Sequence, residues 1–296
     1  MSFSCKQRKH NGFMKKSIKV MIVMVAAVML AGCEVGEGEL MKTKTGHLMY
    51  LGWTDDINGI LYNIMEPAFN LNAWVQAPED QKPEILRKHF YGNAVINVLS
   101  DHSWQIQIDG TSILLRVALV NGTSLAETGA KMRLIYTQDY DHSAWANKIF
   151  VLENKGNGVW DLYSEDGQID LLFKLGTSEV PESLTETSLA IAGAGTFVEK
   201  TFISHCSGDV CTEETYFTYL SYDIQQPFEV SWTQNANQHN WASEFDWSDY
   251  FTVFSAGKVQ LQALDEEGQG NTATVTLLNP EEIEIEMDGI VQRRKV

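Results

Sequence analysis

The sequence predicts a mainly β protein, an antiparallel β-sandwich or barrel-like domain preceded by a short helical segment. From residue 94 onward, short runs rich in β-branched and aromatic residues are separated by Gly, Asn and Asp. Several of these runs alternate apolar and polar residues, which is the period of a strand with one buried face. The connections between the runs are short and turn-like, and short connections favour antiparallel over parallel pairing.

The first 32 residues have the organisation of an export signal. Three lysines precede an apolar run, and small residues and a cysteine follow it: Lys15, Lys16, Lys19, residues 20–30, Ala31, Gly32 and Cys33. As a helix, the eleven apolar residues would span about half of a ~30 Å bilayer core. The run is therefore too short for a permanent transmembrane helix, and residues 1–32 are predicted to be a signal peptide. Met14 would begin a leader of more usual length than Met1.

The sequence Leu30-Ala31-Gly32-Cys33 resembles the lipobox of bacterial lipoproteins. The resemblance implies that the Cys33 sulfur receives a diacylglyceryl group, that cleavage occurs before it, and that palmitate-type chains anchor the protein. In Gram-negative lipoproteins an Asp after the cysteine favours the inner membrane. Glu34 therefore implies the outer membrane, with the protein facing the periplasm or the cell surface. The alternative is an ordinary cleaved signal in which Cys33 carries no lipid.

The mature chain predicted to begin at Cys33 is strongly acidic. It contains all 39 acidic residues but only 16 of the 22 basic ones, which gives a net charge of −23. This charge repels phosphate backbones and anionic lipid head groups. We therefore expect no nucleic-acid partner, and a membrane contact made through the lipid on Cys33.

A flexible tether and a helical segment are predicted next. Residues 33–47 combine glycines with charged residues, a composition typical of a flexible tether. Residues 48–92 predict the helical segment, with Thr54 as N-cap. Apolar residues follow at helical spacing: Ile57, Ile60, Leu61, Ile64 and Met65. Pro67 predicts an end or a kink, and two further stretches continue the helical pattern: Leu71, Trp74 and Val75, then a short helix over residues 83–91.

Residues 93–296 predict one antiparallel β domain, with a division near Pro181 into two smaller sandwiches as the alternative. Asp109-Gly110 as a two-residue turn would pair Ile106 with Ile113 and Trp104 with Leu115. Asp288-Gly289 would likewise pair Glu284 with Arg293 and Glu282 with Lys295, which joins opposite charges. The other predicted strands are 131–137, 148–153, 159–163, 169–174, 196–205, 212–222, 228–233, 250–255, 258–264 and 272–278.

Cys206 and Cys211 flank a turn-like tetrapeptide between two predicted strands. In an oxidising compartment such a pair predicts a disulfide across a hairpin, which would contribute ~1–2 kcal/mol. The alternative is a metal site that adds His205 and Asp209 to the two sulfurs. Acidic loops could also bind calcium, with solvated turns as the alternative: Asp139, Asp141, Asp166 and Asp170.

One stretch, residues 231–251, mixes aromatic side chains with amides and a histidine. Flat aromatic faces beside hydrogen-bonding groups suit a sugar ring, so four residues are predicted to bind a ligand: Trp232, His239, Trp241 and Trp247. The alternative is that these aromatic residues belong to the core of the flanking strands. The chain lacks the common signatures of phosphate-binding loops, zinc proteases and nucleophile elbows. We therefore predict no catalytic residue, cofactor or metal.

The sequence leaves three functions open. The first is a non-catalytic binding or surface module for a glycan or peptide, held at the envelope by its lipid. The second is a structural accessory subunit of an outer-membrane assembly. The third is an envelope-associated hydrolase, which a deep pocket with two carboxylates would favour.

Overall fold

A computed structural model of the chain describes most of the predicted mature region. The described residues are 39–89, 94–100, 102–108, 114–136, 148–207, 210–234, 250–264 and 270–296. They confirm a mainly β, antiparallel fold preceded by a short helical segment. Within these ranges, no helix has both the length and the hydropathy needed to cross a bilayer.

The described strands form a single sheet in which each strand pairs with the next one along the chain. They are β1 Ala94–Ser100, β2 Ser103–Ile108, β3 Leu114–Asn121, β4 Lys131–Tyr136, β5 Ile149–Gly156, β6 Val159–Ser164, β7 Ile169–Leu175, β8 Leu189–Ser207, β9 Val210–Gln234, β10 Tyr250–Leu264, β11 Gly270–Asn279, β12 Glu282–Met287 and β13 Ile290–Lys295. Pro181 lies in the connection between β7 and β8, which are hydrogen-bonded neighbours. One sheet therefore continues across the point where a division was the alternative.

The sheet curls around a long buried helix. This helix comprises α1 (Glu39–Ile60), a π-helical segment (Leu61–Met65) and α2 (Glu66–Gln76), and a separate helix α3 follows (Lys82–His89). Contacts of α1 are with β9 to β13, whereas α2 contacts β3. Many apolar residues of the helix are fully buried, including Ile60, Leu61, Ile64, Met65, Ala68 and Phe69. The helix thus forms much of the core on which the inner face of the sheet packs.

The helix begins earlier than the sequence predicts. Thr54 is not its N-cap but lies inside α1, where its hydroxyl donates to the Leu51 carbonyl at 2.8 Å. Residues 39–47 of the predicted flexible tether are helical, because they pack on the last strands. A Cβ on Gly46 would lie 2.7 Å from Ile285 Cγ2, so the helix backbone approaches β12 closely. This tertiary contact overrides the weak helix propensity of the glycine.

The helix does not end at Pro67 but continues to Gln76. This continuation contains Leu71, Trp74 and Val75, as predicted. The π-helical segment lies directly before α2, in which Pro67 is the second residue. A widened turn accommodates a proline, which has no N–H to donate to the preceding turn. The second predicted helix is observed as α3, while residues 90–93 lie outside the described ranges.

Of the two hairpin registers that the sequence predicts, one is observed and the other is not. In the β12–β13 hairpin, Glu284 pairs with Arg293 and Glu282 with Lys295, as predicted. In the β2–β3 hairpin the prediction is wrong by two residues, because Ile106 pairs with Leu115 and Trp104 with Val117. The described ladder ends with Gln107 paired to Leu114, a register that does not fit a two-residue turn at Asp109-Gly110, and residues 109–113 lie outside the described ranges. Since the shift is even, Trp104 and Leu115 keep their predicted common face, and both are buried.

Several strands are longer than predicted. Predicted strands 212–222 and 228–233 merge into β9, and 250–255 and 258–264 merge into β10. The β9–β10 ladder shifts register between Gln226 and Glu229, so Pro227 lies at an irregularity. A proline is tolerated there because it need not donate a ladder hydrogen bond.

Gly193 marks a second irregularity, in β8, and provides a test of the sheet geometry. Its φ is +116°, and a Cβ there would overlap the Asp170 carbonyl oxygen and lie 3.0 Å from Leu171 Cα. We expect Gly193→Ala to lower the free energy of unfolding by about 3 kcal/mol or more, measured by urea denaturation. Gly167→Ala is the control, because φ there is +72° but the space is open, and about 1 kcal/mol is expected. Equal losses in both variants would contradict the close β7–β8 approach.

Candidate functional site

The buried helix occupies the inner face of the sheet, which leaves the outer face for ligands. Trp53 of α1 is fully buried, and its ring centroid lies 4.7 Å from that of Phe228 in β9. Phe69 and Trp74 of α2 likewise pack on Trp160 and Trp104, at 5.4 and 5.3 Å. The described surface away from the helix is therefore the face on which polar groups can reach a ligand.

A groove of about 460 Å³ crosses β7, β8, β9 and β10 and is called the outer groove below. Its size lies within the roughly 300–1,000 Å³ range of small-molecule sites. Small or polar residues dominate its lining: Lys174, Gly176, Ser188, Ala190, Glu229, Ser231 and Ser255. Strand register explains its shape. Ala190 pairs with Lys174 on one side and with Glu229 on the other, so a short side chain separates two long ones.

The polar groups of the outer groove can bind a neutral ligand that is rich in hydroxyls. Lys174 donates hydrogen bonds, Glu229 accepts them, and the serine hydroxyls do both. Among the described residues that line the groove, Glu229 is the one carboxylate. An acid and a base for glycoside hydrolysis usually require two carboxylates. The lining is therefore suited to binding more than to hydrolysis.

Trp232, the described member of the four predicted ligand-binding residues, lies beside the groove but faces the helix. Its indole N–H donates to the Tyr62 hydroxyl at 3.1 Å, and that hydroxyl also hydrogen-bonds with Thr252. Trp232 is half-buried and packs against the core. Burial raises the pKa of the Tyr62 phenol, which keeps this cluster uncharged at neutral pH. Tyr62 thus links the helix to Trp232 in β9 and to Thr252 in β10.

The other predicted ligand-binding residues, His239, Trp241 and Trp247, lie outside the described ranges, as does Cys33. The predicted binding stretch nevertheless touches the outer groove, because its first residue, Ser231, lines it. Sequence reasoning missed the rest of the groove. Lys174, Ser188 and Glu229 are distant in the chain and have ordinary local contexts, so only the strand register brings them together.

Cys206 and Cys211 are direct partners in the β8–β9 ladder. This backbone register is compatible with the predicted disulfide, which stays a prediction. His205 of the alternative metal site pairs with Thr212, and Asp209 lies outside the described ranges. Within the described part of the chain, no group of three or more His, Cys, Asp and Glu side chains is placed to hold a metal.

Asp166, one of the candidate calcium ligands, makes the hydrogen bonds expected of a residue in a turn. Asp166 accepts hydrogen bonds from the Ser164 hydroxyl and from the Gln168 N–H, and these bonds lower its pKa despite burial. Its other oxygen lies 3.6 Å from Lys148 Nζ. Of the remaining candidates, Asp170 adjoins Asp161, whereas residues 139 and 141 lie outside the described ranges. These contacts favour the solvated-turn alternative for Asp166.

The outer groove is therefore the candidate site that the described structure offers, and Trp232 supports it from the inner face. Comparison of the chain with family models, with curated proteins and with solved structures finds no match in any of the three.

Proposed function

We propose that the protein is a lipid-anchored lipoprotein of the bacterial outer membrane whose outer groove binds a glycan or a peptide without converting it. The signal-peptide pattern of residues 1–32 and the lipobox ending in Cys33 support the anchoring. The outer groove supports the binding activity and is the observation on which the proposal rests. The protein faces either the periplasm or the exterior.

A glycan fits the outer groove better than an apolar ligand does. Sugar hydroxyls pair with hydroxyl, ammonium and carboxylate groups, which three serines, Lys174 and Glu229 supply. Sugar rings also stack their C–H faces on aromatic side chains. The stretch that starts at Ser231 also contains Trp241 and Trp247, which the sequence predicts as ligand-binding residues and which lie outside the described ranges. The polar lining of the outer groove and the aromatic residues of this stretch together favour a saccharide of a few rings as the ligand.

A second candidate, the accessory subunit, is favoured by strand β1. This strand lies at one end of the sheet, and its Val98 and Leu99 are 47% and 53% exposed. No charged residue lies in β1, whereas β13 at the opposite end carries Arg293, Arg294 and Lys295. Charged edge strands resist pairing with other chains, and uncharged ones invite it. Strand β1 is thus the described edge that a partner protein would join.

Binding to an array of glycans and peptides distinguishes the two candidates. We expect the mature protein to bind a subset of glycans, and Lys174→Ala with Glu229→Ala to weaken that binding at least about tenfold. This double variant leaves the net charge unchanged. The matched control combines Glu284→Ala with Arg293→Ala, which form an ion pair between β12 and β13, beyond the strands that line the groove, and should leave binding unchanged.

Other results would count against the groove. Undiminished binding by the Lys174 and Glu229 double variant would place the ligand elsewhere on the protein. Absence of binding to every glycan and peptide would favour the accessory subunit.

A further inference from the structure

The connection from β7 to β8, residues 176–188, is called the strap below. It is held against the buried helix. It contains a short 3₁₀ helix, Leu184–Glu186, and Leu184 is fully buried in the core. At its base the Gly176 N–H donates to the Ser188 carbonyl at 2.7 Å. The strap therefore covers one part of the core with the buried side chains of Ser183 and Leu184, between two strand ends.

A buried carboxyl group fastens the strap to α2. Glu66 is 1% exposed, and its Oε2 accepts from the Leu184 N–H at 2.7 Å. Its Oε1 accepts from Asn70 Nδ2 at 3.1 Å, and that amide also donates to the Glu182 carbonyl at 2.9 Å. The Ser183 hydroxyl makes a further hydrogen bond to Glu66. The strap thus depends on an ionisable group that water does not reach.

The surroundings of Glu66 oppose its negative charge. Burial raises the pKa of Glu66 to about 7, and the nearby Glu186 carboxylate adds to this, although the bonds from Leu184, Asn70 and Ser183 act in the opposite direction. The other ionisable groups near it are Tyr62, one turn earlier on the helix, and Glu182 in the strap. Tyr62 stays neutral because burial raises its pKa.

We propose that the strap is a proton-controlled latch: protonated Glu66 keeps the strap packed on α2, and loss of that proton favours its release. In the released form water reaches the carboxyl group, which then has its ordinary pKa of 4.5. The closed form therefore binds the proton more tightly than the open form. Below pH 4.5 both forms are protonated, so opening does not depend on pH. Between pH 4.5 and about 7 opening becomes easier as pH rises, and above that it levels off.

Opening of the strap would also change the shape of the outer groove, because Gly176 and Ser188 at the two ends of the strap belong to the groove lining. This consequence rests on the proposed function, whereas the latch itself does not. The latch is therefore tested without a ligand, so its failure and the failure of ligand binding are separate results.

Hydrogen–deuterium exchange of the full mature protein at pH 5 and pH 8 measures the latch directly. After correction for intrinsic exchange, strap opening in the wild type should increase on the order of 100-fold from pH 5 to pH 8. In Glu66→Gln, which is neutral at both values, the change should stay within about twofold. Glu179→Gln removes an exposed carboxylate from the same strap and should behave like the wild type.

Two outcomes overturn the latch: a wild-type strap whose opening does not change with pH, and an equal change in Glu66→Gln. Asn70→Ala provides a second test if Glu66→Gln does not fold. Removing this hydrogen-bond donor disfavours the ionised carboxylate, so the change in strap opening should move to higher pH. An unmoved transition in Asn70→Ala would assign the pH dependence to another group.

Discussion

Replacing Trp53 with alanine is expected to lower the free energy of unfolding by about 3–5 kcal/mol. Trp53 is fully buried in α1, and its ring contacts those of Tyr50, Tyr222, Phe228 and Phe254. Alanine would leave a cavity between the helix and strands β9 and β10, and neither element can move to fill it without disturbing the ladder between them. Urea denaturation followed by circular dichroism measures the loss.

The control for Trp53→Ala is Leu278→Ala, since Leu278 in β11 is 39% exposed on the outer face. It should change stability by less than about 0.5 kcal/mol. If Trp53→Ala leaves too little folded protein, Trp53→Phe keeps an aromatic ring and should lose about half as much. A Trp53→Ala variant as stable as the wild type would contradict the enclosure of α1 by the sheet.

Local sequence patterns predicted the element types but not the enclosure of the helix. The spacing of Ile57, Ile60 and Ile64 predicts one apolar stripe, and that stripe is buried. The structure also buries Thr43 and Gly46, at helix positions that composition assigned to a tether. Their burial depends on β12 and β13, which lie more than 200 residues later in the chain. Such contacts are invisible to local propensity.

The hairpins show which part of a register a sequence can specify. In β12–β13, strict alternation, opposite charges and a two-residue turn all favour one pairing, and that pairing is observed. In β2–β3, alternation specified the buried face of Trp104 and Leu115 but not the loop length. The alternation of side chains determines which face of the sheet a residue occupies. The pairing between two strands depends in addition on the geometry of the turn that joins them.

The outer groove and Glu66 differ in how far the sequence could have revealed them. The groove arises from Lys174, Ala190 and Glu229, which meet only through two successive ladders. Glu66 has a local signal, because it lies in a helix between apolar residues such as Met65 and Ala68, which are fully buried. A carboxyl group in such a context needs hydrogen-bond partners. The sequence could therefore flag Glu66 but could not identify the strap as its partner.

Replacing Cys33 with serine is expected to remove the protein completely from the membrane fraction. Each buried methylene contributes about 0.8 kcal/mol, and one acyl chain gives only marginal binding, so two or three chains on one cysteine hold a protein durably. Serine cannot form the thioether on which this modification depends. The net charge of −23 predicted for the mature chain offers no electrostatic attraction to anionic lipids as a substitute.

Growth with an alkyne-tagged palmitate followed by fractionation measures this effect of Cys33→Ser. The wild type should carry the label and sediment with membranes, and the variant should lose both properties. Cys206→Ser with Cys211→Ser is the matched control, because it replaces two cysteines of the β8–β9 hairpin and leaves the lipobox intact. That variant should keep the label. A labelled Cys33→Ser protein, or a wild type with an unmodified thiol at Cys33, would contradict lipid anchoring, and the β-rich domain would then need another route to the envelope.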